Sequence, residues 1–251
     1  MTFAVAVSGP EWALIAADTR LQIGEIQEAL GFHVHSVRDD ALKIWPLAHG
    51  WCTMPCSDGW FKRRVLPRLH ELPTTDPATI RAAVRTAVAE LWPDFERDRP
   101  REAQWERERA TLFVVGPAND GFFTLGLSWD GSDSDGAIGP AEITARGPRN
   151  VSAEAQFAAI RAYRPVIDNG ELPDVLRATA SLVHAIYVAA GPDDVVSDSV
   201  HIGLLVRAGG DVVRLGVHRR PSSELMTASD TEVLGMLVEI VDDPGPVGAT
   251  G

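Results

Sequence analysis

Thr2-Phe3-Ala4-Val5-Ala6-Val7, the turn Ser8-Gly9-Pro10-Glu11, and Trp12-Ala13-Leu14-Ile15-Ala16-Ala17-Asp18-Thr19-Arg20 form the stretch whose reading decides the fold. Residues 3–7 and 12–17 are short, apolar or alternating runs parted by a Gly-Pro signal, which predicts a strand hairpin. The threonine ahead of the first strand carries chemistry of its own. At a free N-terminus its hydroxyl can attack a carbonyl while its own α-amino group, with an ordinary pKa of about 7.7–8.0, takes the proton. Thr2 is small enough for an initiator methionine to be trimmed in front of it, so loss of Met1 is the expected maturation step.

Residues 2–20 resemble the start of a mature proteasome β-type subunit, one of the N-terminal nucleophile hydrolases. Thr2, Asp18 and Arg20 fall at that family's spacing with no insertion. The resemblance implies a nucleophilic Thr2, a supporting Asp18 and a lysine on the next strand. It also implies an α/β (α+β) fold: a four-layer α-β-β-α sandwich of two mostly antiparallel sheets between helices.

The chain has two lysines, Lys43 and Lys62, against 21 arginines. Each lysine is therefore informative, because a guanidinium cannot replace a compact ammonium that shares a proton. Lys43 opens Lys43-Ile44-Trp45-Pro46-Leu47, similar to the family's lysine-bearing strand, whereas Lys62 reads as the solvated start of a helix. The interval from Asp18 to Lys43 exceeds the family's, so an insertion within residues 22–40 is expected in the turn.

Further positions are carried over by resemblance alone. The oxyanion-binding backbone amide falls on Cys56 or Ser57, where the family's glycine pair is missing. Met54 and Arg20 fall in the specificity pocket. Asp194 and Ser197, spaced three apart ahead of a late strand, match the cluster that supports the terminal amine. Ser152 reads instead as a helix cap before residue 153.

At 251 residues the chain is long enough for one large domain that buries roughly 70–75% of its unfolded surface. Residues 1–241 are read as that domain and 242–251 as a disordered Pro/Gly-rich tail. A net charge of −12 disfavours nucleic acid and anionic membranes and leaves peptides or proteins as partners. No run approaches the ~20 apolar residues of a membrane span, and no signal peptide is evident. A cytoplasmic location is expected, with Cys52 and Cys56 as reduced core thiols.

Beyond the first hairpin, strands are expected at residues 44–47, 51–54, 111–115, 122–127, 142–145, 200–206 and 212–217. Helices are expected at 58–71, 77–92, 153–163 and 173–189. Residues 94–109 read as a solvated connection or helix extension. His33 and His35 would share one face of a strand as a metal pair, but nothing is spaced to complete a site, and a loop within the insertion is the preferred reading. Residues 131–136 with Glu142 superficially match a calcium loop, yet a polar turn fits better. No cofactor is expected. The expected activity is threonine-type cleavage of an amide bond, peptide by preference, in a ring-like homo-oligomer as the resemblance implies. A non-catalytic proteasome-like subunit and a small-molecule amidase or acyltransferase are the alternatives.

Overall fold

The computed structural model describes residues 3–27, 31–41, 43–54, 59–73, 76–109, 111–128, 143–147, 152–191 and 196–240. It is a mixed α/β structure with several antiparallel sheets. The opening hairpin forms as expected, with β1 (Ala4–Ser8) paired to β2 (Trp12–Asp18) and Val5 opposite Ala16. These two strands lie in the middle of a six-stranded sheet. Beyond β1 stands β9 (Ile143–Arg146); beyond β2 follow β10 (Ser199–Ala208), β11 (Asp211–Pro221) and β12 (Val238–Glu239). A second sheet runs in sequence order through β5 (Ile44–Leu47), β6 (Gly50–Thr53), β7 (Thr111–Ala118) and β8 (Gly121–Ser128).

Every residue of β1 and β2 is buried, which is why both read as nearly unbroken apolar runs. Their two faces differ in size. Phe3, Val5, Val7, Leu14 and Ala16 join the cluster that contains α4 (Ser152–Tyr163) and α5 (Leu172–Ala190). Ala4, Ala6, Ala13, Ile15 and Ala17 instead share a cluster with Ile44, Trp51, Phe113, Val115 and Phe122 of the second sheet. Alanines on one side thus leave room for the large rings opposite. The other face of the second sheet, with Cys52, Leu112, Val114 and Phe123, is covered by α1 (Gly59–His70) and α2 (Pro77–Asp98).

Gly203 of β10 shows how tight the contact between the sheets is. A Cβ there would stand 2.7 Å from Cδ2 and 2.8 Å from Cγ of Trp51, whose indole nitrogen donates to the Leu204 carbonyl at 3.2 Å. Gly203→Ala should therefore overpack a rigid ring and lower stability by roughly 1–3 kcal/mol, read as a lower urea midpoint; an unchanged midpoint would contradict this packing.

Several elements differ from or add to the sequence reading. Residues 22–40 were expected as a turn with His33 and His35 in a loop. Instead β3 (Leu21–Gln27) and β4 (Gly31–Arg38) pair as a separate two-stranded ribbon, consistent with the alternation of Leu21 and Ile23 with Gln22 and of Phe32 and Val34 with His33 and His35. The second helix was expected over residues 77–92, with 94–109 as a solvated connection or helix extension, and the extension is what forms. The helix continues to Asp98, because Phe95 is fully buried and stacks on Trp60 with ring centroids 5.0 Å apart. After Arg99, α3 (Pro100–Arg109) extends the charged region, where Arg97 pairs with Asp94 and Arg107 with Glu96 on the surface. Finally, the chain after β11 adds α6 (Ser222–Thr227) and α7 (Asp230–Gly235), neither included in the sequence reading, although Ser229 and Glu232 form the capping box that starts α7. Lys62 is also less solvated than expected, its ammonium lying 5.9 Å from the centre of the Trp45 ring. The acidic stretch 131–136 and residues 241–251 lie outside the described residues.

Candidate active site

Asp18 ends β2 opposite Val200 of β10, and its side chain is fully buried. A buried carboxylate is tolerated only with charge and hydrogen-bond partners, and here both oxygens have them. Oδ1 accepts from the Phe3 amide at 2.9 Å and from the Lys43 ammonium at 3.1 Å. Oδ2 accepts from the Arg20 amide at 2.8 Å, the same ammonium at 3.0 Å and the Ser197 amide at 3.3 Å. The Asp18 amide in turn donates to the Phe3 carbonyl at 3.2 Å. Phe3, where the chain enters β1, is thus fastened to Asp18 through both its N–H and its carbonyl.

Lys43 stands immediately before β5 and is 4% exposed. Side chains from two other strands hold its backbone. The Thr53 hydroxyl donates to its carbonyl at 2.6 Å, and its amide donates to Nδ1 of His201 at 3.3 Å. The ammonium reaches Asp18 from a main chain gripped on both sides.

Ser197 completes the group from just ahead of β10. Its Oγ accepts from the Thr19 amide at 3.0 Å and lies 3.1 Å from the Thr19 hydroxyl. The Thr19 hydroxyl already donates to the Asp39 carbonyl at 2.7 Å, which leaves Thr19 Oγ1 as an acceptor toward Ser197, whose hydroxyl also faces the Ser199 carbonyl at 3.5 Å. Arg20 turns outward and makes a two-pronged pair with Asp39, at 2.7 and 3.0 Å. That hydrogen bond from Arg20 holds the Asp39 carboxyl below its ordinary range.

Of the residues expected at the site, Asp18, Lys43 and Ser197 are brought together in one buried hydrogen-bonded group, and Arg20 joins through its backbone. Met54 is fully buried and packs in the apolar cluster beneath α1 and α2. Thr2, Cys56, Ser57 and Asp194 lie outside the described residues. Among the described residues no group of three or more His, Cys, Asp or Glu side chains is placed to hold a metal. Cys52 is buried, and burial pushes its thiol up to about 12, so it is inert at neutral pH.

Thr19, Thr53 and His201 are members of the site that the sequence did not disclose. Thr19 sat inside the decisive motif, but its role depends on Ser197, 178 residues away. His201 lies opposite Ala17 in the β2–β10 register, a placement with no local signal. Burial, then the neighbouring His218, Arg219 and Lys43, push His201 down to about 3. The unfolded chain therefore binds a proton below pH 6.5 that the folded chain refuses until about pH 3. Stability should fall as pH falls through that window, by up to about 1.4 kcal/mol per pH unit from this residue. Urea midpoints measured from pH 7 to 4 should show the loss in the wild type and a shallower slope in His201→Asn.

No protein-family model matches the chain, and no curated protein matches it at a significant level. No helix among the described residues is long and apolar enough to cross a membrane.

Proposed function

We propose that the chain is an N-terminal threonine hydrolase with the four-layer α-β-β-α arrangement, cleaving an amide bond, peptide by preference, after loss of Met1. The observation that carries this reading is the buried Lys43–Asp18 pair whose Asp18 oxygen Oδ1 also binds the Phe3 amide. Asp18 thus ties the Lys43 ammonium to the residue that follows Thr2 in the chain, which supports the reading of a terminal threonine served by that cation.

In this mechanism the Thr2 hydroxyl attacks the carbonyl carbon and its proton passes to the α-amino group. The Lys43 ammonium lowers the basicity of that amine and stabilises the developing charge on the hydroxyl oxygen. Collapse of the tetrahedral intermediate expels the leaving amine with the proton and leaves an ester on Thr2. Water then hydrolyses the ester, with the α-amino group again relaying the proton. Ser197 and Thr19 hold the Asp18 side of the site, and a backbone amide at Cys56 or Ser57 would receive the oxyanion. A homo-oligomer belongs to the same proposal.

Intact mass followed by treatment with a threonine-reactive epoxyketone or β-lactone tests it. The expected result is a chain lacking Met1 that gains one adduct, mapped to Thr2 and absent in Thr2→Ala. A purified chain that retains Met1 and takes no adduct would favour a non-catalytic, proteasome-like subunit.

A further inference from the structure

Two imidazoles connect the surface to the backbone of Lys43. His218 on β11 is exposed, and its Nδ1 lies 3.2 Å from Nε2 of the buried His201 on β10. His201 Nδ1 in turn receives the Lys43 amide at 3.3 Å. Because a backbone N–H can only donate, His201 Nδ1 carries no proton. The neutral ring must then be protonated at Nε2, and that N–H donates to His218 Nδ1. One arrangement of protons satisfies all three groups.

The local backbone is shaped for this contact. The β10–β11 register shifts between Val200 and Ile202, and on the opposite strand Arg219 has φ of 49°, a left-handed conformation unusual for a side-chain-bearing residue. Bulges of this kind re-aim side chains.

We propose that His218 and His201 are positioning residues for Lys43, and that a proton taken up by His218 from solvent withdraws the acceptor from the Lys43 amide and weakens the site in acid. A charged His218 carries a proton on Nδ1, facing the proton on His201 Nε2. The contact survives only if His201 gives up its Nε2 proton and carries one on Nδ1 instead, where it confronts the Lys43 N–H and withdraws that acceptor; if the rings separate, His201 loses the partner that orients it toward Lys43. No bond other than these N–H bonds changes, and the proton comes from solvent.

The charged groups around the pair come from several elements. Arg219 stands on β11 beside His218, and Lys43 stands ahead of β5, with its partner Asp18 on β2. Asp40, beyond β4, feels Arg219. Burial and Arg219 hold His218 below the ordinary value of 6.5, which places the effect on the acidic side of neutrality.

This inference rests on the hydrolase reading for its effect on rate, but its structural half is independent of activity. With two lysines in the chain, selective 15N-lysine labelling gives two backbone amide signals, and Lys43→Arg assigns them by deleting one. The Lys43 signal should shift with the His218 titration in the wild type and stay fixed over that range in His218→Asn, whose side-chain oxygen still accepts from His201 without titrating. Long-range 15N correlation of the imidazoles should show both rings protonated at Nε2 at neutral pH. In the rate of epoxyketone acylation, the acid limb should fall by about a hundredfold per pH unit where both His218 and the terminal amine charge. It should fall by about tenfold per unit in His218→Asn, with the rate at neutral pH retained; His218→Leu should be slow throughout.

A Lys43 amide indifferent to His218, or His201 protonated at Nδ1, would overturn the relay whatever the enzyme does. An intact relay in a protein that never acylates would leave the positioning of Lys43 standing and defeat the hydrolase reading alone. An acid limb of the same steepness in His218→Asn as in the wild type would overturn the effect on rate.

Discussion

Asp18→Ala is expected to abolish the cooperatively folded state at 25 °C. The substitution strands the Lys43 ammonium in a buried position and removes the acceptor of the Phe3, Arg20 and Ser197 amides. Breaking one side of a buried ion pair costs roughly 3–5 kcal/mol, and each buried donor left unsatisfied adds about 1–3 kcal/mol. Those losses together rival the roughly 5–15 kcal/mol that holds a typical domain. Circular dichroism and size exclusion should report an expanded or aggregated chain. Asp18→Leu combined with Lys43→Met should recover a measurable part of the stability, since the second change removes the stranded charge. A wild-type urea midpoint for Asp18→Ala would show that this carboxylate does not hold the strand ends together.

Lys43→Arg should separate the ion pair from the chemistry. A guanidinium can pair with a carboxylate and stay charged, so the fold should survive with a modest loss. It is larger than an ammonium, however, and does not share its proton near neutrality. If Lys43 acts on the terminal threonine as proposed, acylation should slow by about 10²–10⁴-fold while intact mass still shows loss of Met1. A variant that acylates at the wild-type rate would reduce Lys43 to a counter-ion for Asp18. Thr2→Ser, which preserves a hydroxyl and an amine, is the useful control and should stay within reach of detection.

The first two strands were legible because burial on both faces forces apolar residues at nearly every position from Phe3 to Ala17. The β10–β11 hairpin was equally plain, its Gly209-Gly210 turn taking φ of 62° and 97°. The second helix announced its start through Asp76, whose carboxylate accepts from the Thr79 amide at 2.9 Å. Its end was obscured by Pro93, since a proline argues locally for a stop while Phe95 is anchored by tertiary packing. The β3–β4 ribbon carried a partial alternation, Leu21-Gln22-Ile23 and Phe32-His33-Val34-His35, but it fell within a stretch read as an insertion and was passed over. Two six-residue helices near the end are too short to carry a reliable period.

The site divided along the same line. Asp18 and Lys43 were readable from the resemblance of residues 2–20 and 43–47 to the proteasome β-type pattern, supported by the scarcity of lysine. Ser197 came from the same resemblance, through its position ahead of a late strand. The bonds that fix Lys43, from Thr53 and His201, depend on which strands become neighbours. His201 is 158 residues from the amide it receives, and no short window of sequence contains that fact.

The spread of donors around one carboxylate also sets a timetable. Residues 3, 20, 43 and 197 all meet on Asp18, so a nascent chain that has not yet delivered β10 lacks both Ser197 and the strand that flanks β2. During synthesis the N-terminal residues emerge first, yet the pocket around them closes only when the last quarter of the chain arrives. Under the proposed function, a chain truncated before that point is expected to be inert, because Asp18 would lack both the Ser197 amide and its β10 neighbour.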